Sequence, residues 1–347
     1  MTDERISNVN PSKDQLTPSS TSLMGLMQAG AVTQRDIVHK EVNVTEEDQN
    51  NLDNQSEYIG QQRTIPEAAR HELVIQAQSD DSPNVIVVDN EARIVNIQPS
   101  PGLSEIPTME VAIRSGVMGF DQLAVPIPPT FDLLEEWWAV TDQGQTGACV
   151  GFALADGVLR YMFTKTKQIN PGERLSPRAI WISAKETDEF NEWPTTFIET
   201  EGTSLKAALE VTKRWGCIRE NIMPFNTLYT KDARSYYRQA AALRILGYYN
   251  LGKNIEAWKR WISTTGPILA AINVDRTFQN ATTTKGDLER YDVYTLMGGH
   301  AICICGYTKD RIIIRNSWGT SWGDNGYCYA SYDWCVKAVI EAYGISI

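Results

Sequence analysis

Cys149, His300 and Asn316 are the residues of this 347-residue chain whose types and settings point to chemistry. Cys149 closes the run Thr141-Asp-Gln-Gly-Gln-Thr-Gly-Ala-Cys149, a turn rich in glycine and amides, and opens an apolar helix read from Val150 to about Phe163. Unpaired N–H groups and the positive end of the helix dipole both favour thiolate over thiol there, and a thiolate is a nucleophile. The same residues also suit a core cysteine capping a core helix. His39 and His71 lie in a polar N-terminal region, which leaves His300 as the histidine able to serve as its base. It follows Gly298-Gly299 and begins an apolar strand that turns at Thr308-Lys309-Asp310 and returns as Arg311 to Asn316. By strand alternation His300, Ile302 and Ile304 share one face, while Cys303 and Cys305 point to the other. That parity argues against a zinc cluster and makes those two cysteines core residues. No metal and no cofactor is expected. Asn316 ends the second strand, ahead of Ser317-Trp318-Gly-Thr-Ser-Trp322-Gly323. An amide oxygen on an imidazole N–H orients the ring, and a neighbouring indole keeps water away.

Taken together, the segments Gln143 to Cys149, Gly298-Gly-His300-Ala301, and Asn316-Ser-Trp318-Gly with Trp322-Gly323 resemble the three signature blocks of papain-type cysteine peptidases, in that family's order. Three blocks in one chain are far more specific than one motif. The resemblance covers roughly Val125 to Ile347. It implies an α+β, two-lobed fold: a helical lobe over about 125–245, a β-barrel-like lobe over about 246–347, and an active-site cleft between them. It also implies roles for the residues. Cys149 attacks a carbonyl carbon as thiolate, paired at rest with a protonated His300, and Asn316 orients the imidazole. Gln143 shares the oxyanion hole with the Cys149 N–H. Gly202, in Glu201-Gly-Thr203, resembles the glycine stretch that pairs with substrate backbone, and Trp318 flanks the site. The chain departs from the animal and plant enzymes at Val150, Thr146 and Gly299, as a bacterial or viral variant does.

The elements that must position these residues are legible in part. Ser176 caps a helix with Pro177 in its first turn, running through Ile180, Trp181 and Ala184. Ser204 to Trp215 is a second helix, closed by Gly216. Asn254 starts a third with Trp258, Trp261 and Ile262 on its apolar side, ended by Gly266-Pro267. Ile268 to Val274 reads as a buried strand. Hairpin and strand signals dominate from there to the C-terminus.

Residues 1–120 are a different kind of chain. They hold 18 acidic against 8 basic residues, and so carry nearly all of the protein's net charge of −11. Residues 40–63 have a disordered composition. Leu23 to Met27, a capping-box spacing at Thr64 to Glu67 ahead of Ala68 to Gln76, and the runs Val85–Val88 and Arg93–Ile97 flanking a turn are more structured islands. This extension suits either an inhibitory prosegment, with Val85–Ile97 or Leu103–Phe120 docking on the catalytic domain at 121–347, or a partner-binding arm, or a solvated tail.

The substrate expected is a protein or peptide. The net acidity gives no reason to expect nucleic acid, and no run approaches a membrane span. The start lacks a signal sequence, and six cysteines without disulfide spacing fit a reducing cytosol. Non-classical export or packaging in a virus particle would look the same. Thiol chemistry of this kind hydrolyses peptide bonds or passes the acyl group to an amine. The other class of function is a catalytically weak module kept for binding, against which the intact Cys149, His300, Asn316 and Gln143 speak.

Overall fold

The computed structural model describes residues 85–119, 125–188, 195–196, 198–229 and 232–347. The expectations for residues 40–63, for Leu23 to Met27 and for Thr64 to Gln76 fall outside these, as does the expected domain boundary between residues 120 and 121. Among the described residues ten strands form two sheets. β1 (Val85–Val88) and β2 (Glu91–Ile94) make a hairpin whose turn residues Asp89 and Asn90 have φ of 49° and 65°. Asp and Asn tolerate that left-handed pair, which matches the twist of the flanking strands.

The larger sheet contains β3 (Phe131–Asp132), β4 (Gly247–Asn250), β5 (Ile268–Val274), β6 (Asp287–Leu288), β7 (Gly298–Tyr307), β8 (Arg311–Arg315), β9 (Tyr327–Ser331) and β10 (Val339–Ser346). Their order is β4-β10-β5-β7-β8-β9-β6, with β3 pairing to the end of β7. The two end strands are not bonded to each other, so the sheet is open rather than a closed barrel. β5 and β7 lie at its centre and are buried on nearly every residue, which fits their unbroken apolar sequences. Their register sets Ile272 opposite His300.

Against this sheet runs the helix of Cys149. It is α-helical at Cys149–Phe152, widens to a π-helix at Ala153–Leu159, and is α-helical again at Arg160–Lys165. Every residue from Cys149 to Thr164 is buried, as the lack of a polar face requires. A Cβ on Gly157 of this helix would lie 3.0 Å from the Cys303 Cβ, so Cys303 is packed into the core against it.

The helices Pro177–Thr187, Leu205–Arg214 and Ile255–Thr264 start where expected, with Ser176, Ser204 and Asn254 accepting from the first-turn N–H groups. The helices Met109–Arg114, Ala233–Ala240, Arg276–Gln279 and Tyr332–Ala338 were not anticipated. Asp232 caps Ala233–Ala240, and Ser331 caps Tyr332–Ala338, which interrupts the strands near the C-terminus. The latter buries Trp334, Cys335 and Ala338, a helical spacing that the strand reading passed over.

Candidate active site

The helix start, the β7 start and the β8 end converge on one buried site. Cys149 and His300 are 0 % exposed and Asn316 is 1 % exposed. His300 Nε2 lies 2.7 Å from Asn316 Oδ1, which fixes the imidazole with its Nδ1 buried and unpartnered. The ring stacks at 36° on Trp318, with centroids 4.7 Å apart, and Phe278 lies 6.0 Å away on the same aromatic cluster. The Cys149 sulfur receives the backbone N–H groups of Ala301, Val150 and Cys149 itself. The first of these adjoins His300, so the thiol sits beside the His300–Ala301 peptide.

Gln143 is held by the segment that follows Asn316. Its backbone N–H donates to Ser317 O at 2.9 Å, and its Oε1 accepts from Ser317 Oγ at 2.7 Å. Its Nε2 donates to Thr146 O at 2.9 Å, leaving one amide N–H for another acceptor. Ser317 was not singled out from the sequence, where a serine after asparagine carries no distinguishing signal.

Residues 93–100 lie across this site. Arg93, 3 % exposed, donates to the Asp142 carboxylate at 2.5 and 3.1 Å, to Glu91 at 2.7 Å and to the Trp318 carbonyl at 3.5 Å. Asn96 pairs with Gly299, and its Nδ2 donates to Thr200 O at 2.5 Å. The N–H of Ile97 donates to Gly299 O and that of Gln98 to Thr203 O, both at 3.2 Å. Ser100 Oγ accepts from Lys206 N at 3.2 Å and donates to Glu341 Oε1 at 2.9 Å, joining a helix on one side to β10 on the other. Gly202 belongs to this wall: a Cβ there would come within 2.5 Å of Asn96 O, so the close approach of another backbone requires glycine. From Pro107 onward the chain follows the sheet edge, where Pro107 O accepts from Asn250 N at 2.7 Å before the helix Met109–Arg114.

Burial changes the electrostatics expected of the pair. Burial pushes the Cys149 thiol up to about 11 despite its three N–H donors. Burial, with the Arg93 cation nearby, draws His300 down to about 4 against the pull of Asn316. Desolvation thus opposes the thiolate–imidazolium pair and outweighs the helix terminus. Cys149 is still raised less than Cys303, which reaches about 12, and less than Cys217 and Cys335; burial also pushes Cys305 and Cys328 well up.

The sequence reading also missed two buried charges on the Cys149 helix, Asp156 and Arg160, each under 4 % exposed. Burial works against the Asp156 charge, yet Arg315 and Arg160 hold its carboxyl below the usual carboxylate range. Among the described residues no group of His, Cys, Asp and Glu is arranged to hold a metal ion. No helix among them is long and apolar enough to cross a membrane.

Comparison with known proteins agrees with this geometry. Residues 127–344 match the family model described as papain family cysteine protease. An uncharacterized peptidase C1-like protein of Acanthamoeba polyphaga mimivirus is 26 % identical over 205 residues, which cover 55 % of this chain and 63 % of that protein. The chain spans about 63 % of the length of such curated relatives. Among solved structures, xylellain, a cysteine protease from Xylella fastidiosa, superposes with a TM-score of 0.58 at 20 % identity, over 73 % of this chain and 95 % of that one. A procathepsin B from Trypanosoma congolense gives a TM-score of 0.53 at 16 % identity, over 73 % of this chain and 86 % of its own.

Proposed function

This chain belongs to the papain family of cysteine proteases, and we propose that it is an endopeptidase that works through a thioester on Cys149. The observation that carries this reading is the His300–Asn316 hydrogen bond at 2.7 Å, which leaves the His300 Nδ1 buried and unpartnered beside the Cys149 helix terminus. The Asn316 oxygen accepts from Nε2–H, so Nδ1 is the ring atom left to exchange a proton with Cys149. Transfer of the thiol proton to Nδ1 produces thiolate and imidazolium. The thiolate forms a bond to the carbonyl carbon of a peptide, and the carbonyl electrons move to oxygen. The Cys149 N–H and the remaining Gln143 amide N–H stabilise that oxyanion. Collapse expels the amine, which takes its proton from His300, and water then attacks the thioester with His300 as base. Hydrolysis of a peptide by the purified chain, lost in Cys149→Ala, tests the reading. Measurable turnover that is equal in both would refute it.

Residues 85–118 act in this reading as an inhibitory prosegment. Support comes from the backbone bonds of Ile97 and Gln98 to Gly299 and Thr203, from Asn96 seated over Gly202, and from the Arg93 ion pair beside Gln143. A polypeptide lying in the cleft occupies the place of a substrate, and Gly202 and Trp318 are the residues that contact substrate once it leaves. Activity of the full chain compared with that of Arg93→Ala tests this role.

A further inference from the structure

Asp156 is 2 % exposed and lies two turns beyond Cys149 in the same helical run, about 10 Å along its axis. At that distance it touches no group attached to the cysteine. Its Oδ2 accepts from Thr141 Oγ1 at 2.8 Å and from Arg315 Nη2 at 2.6 Å, and its Oδ1 accepts from Arg160 Nη1 at 3.1 Å. Two of these donors adjoin the site. Arg315 directly precedes Asn316, and Thr141 lies two residues before Gln143. Arg315 also donates to Ala139 O at 2.8 Å and lies over the Trp138 ring, 5.1 Å from its centre. The Trp138 indole N–H in turn donates to the Asp156 and Gly157 carbonyls at 2.9 and 3.1 Å, within the π-helical turns. The segment 138–143, the end of β8 and the Cys149 helix thus meet at one carboxylate, which accepts from Thr141, Arg160 and Arg315. Such a network holds its members in one arrangement and transmits a shift of any of them to the rest.

We propose that Asp156 is a positioning residue of the catalytic site: carried on the nucleophile's own helix, its carboxylate fixes Asn316 through Arg315 and Gln143 through Thr141, so that imidazole orienter and oxyanion donor share one anchor with Cys149. The inference rests on the cysteine peptidase reading above. Its force comes from the sensitivity of acyl transfer to geometry, since a misplacement of about 1 Å costs roughly 100-fold in rate. Asp156 does not touch substrate, so its loss acts on the chemical step rather than on binding.

The test uses the full chain carrying Arg93→Ala, so that the cover given by residues 93–100 is loosened alike in every variant. For Asp156→Asn and Thr141→Val, kcat and KM are measured on a fluorogenic peptide, and the rate of Cys149 alkylation by iodoacetamide is followed against pH. Asp156→Asn is expected to lower kcat by about 10- to 100-fold, as loss of an orienting partner does, with KM nearly unchanged and the alkylation profile displaced along the pH axis. Thr141→Val removes one hydrogen bond while both arginines stay paired, and is expected to reproduce part of both effects. A folded Asp156→Asn chain with undiminished kcat and an undisplaced profile overturns the proposal. Should that variant not fold, an undiminished kcat and undisplaced profile in Thr141→Val overturn it. An Arg93→Ala chain that cleaves no peptide and whose Cys149 alkylates no faster than Cys217 contradicts the peptidase reading itself. Turnover indifferent to Asp156 contradicts the anchor alone.

Discussion

His300 Nε2 and Asn316 Oδ1 are 2.7 Å apart, while the other ring nitrogen of His300 is buried without a partner. The asymmetry decides which nitrogen is held and which is left for proton transfer. Asn316→Ala is accordingly expected to lower kcat by about 10- to 100-fold with a small change in KM. Steady-state kinetics on one peptide checks this, and a KM effect alone would remove Asn316 from the chemical step.

Gln143 and Ser317 form a second pair, with Ser317 Oγ donating to Gln143 Oε1 at 2.7 Å. Gln143→Ala is expected to cost on the order of 100- to 1000-fold in kcat, the usual loss for one oxyanion donor. Ser317→Ala leaves the amide in place but frees its carbonyl end, so its loss is smaller and in the same direction. Finding Ser317→Ala more damaging than Gln143→Ala would contradict this order.

Arg93 ties residues 93–100 to Asp142, next to Gln143. The Asp142 and Glu91 side chains are 42 % and 57 % exposed, so the pairs are discounted for solvent screening to about 1 kcal/mol. Arg93→Ala therefore raises the alkylation rate of Cys149 by roughly five-fold in the full chain. Mass spectrometry of the alkylated peptides measures it. An unchanged rate would mean that this ion pair does not hold the cover.

Acid acts on the same cover through His300. Its pKa of about 4 in the covered state lies below its ordinary 6.5, so the stabilisation is fully present above pH 6.5 and is lost as pH falls through 4. The loss amounts to on the order of 3 kcal/mol. Thermal unfolding followed between pH 7 and 4 is expected to show a fall that His300→Gln flattens. A fall of the same steepness in His300→Gln would assign the acid response to other groups.

The three chemical blocks were legible in the sequence because each couples a reactive side chain to a local backbone device: a helix start for Cys149, a strand start for His300, and a strand end for Asn316. The capped helices were legible for the same reason, since Ser176, Ser204 and Asn254 act within one turn. Partnerships formed across long sequence separations were not. Arg93 meets Asp142, and Arg315 meets Asp156, only after the chain has folded back on itself. The upward push on the Cys149 thiol and the downward push on His300 escaped for a related reason: both come from burial in the folded chain, whereas the sequence shows only the helix terminus that acts the other way on the thiol. The helix Tyr332–Ala338 was masked by the strands on either side of it.

The nucleophilic role of Cys149 is tested most directly by labelling the Arg93→Ala chain with an epoxide or iodoacetamide probe at neutral pH and locating the adducts by mass spectrometry. The predicted result is an adduct on Cys149 that forms well ahead of any on Cys217 or Cys328 and is lost in His300→Ala. A Cys149 that reacts no faster than Cys217 or Cys328, or at the same rate without His300, would contradict it.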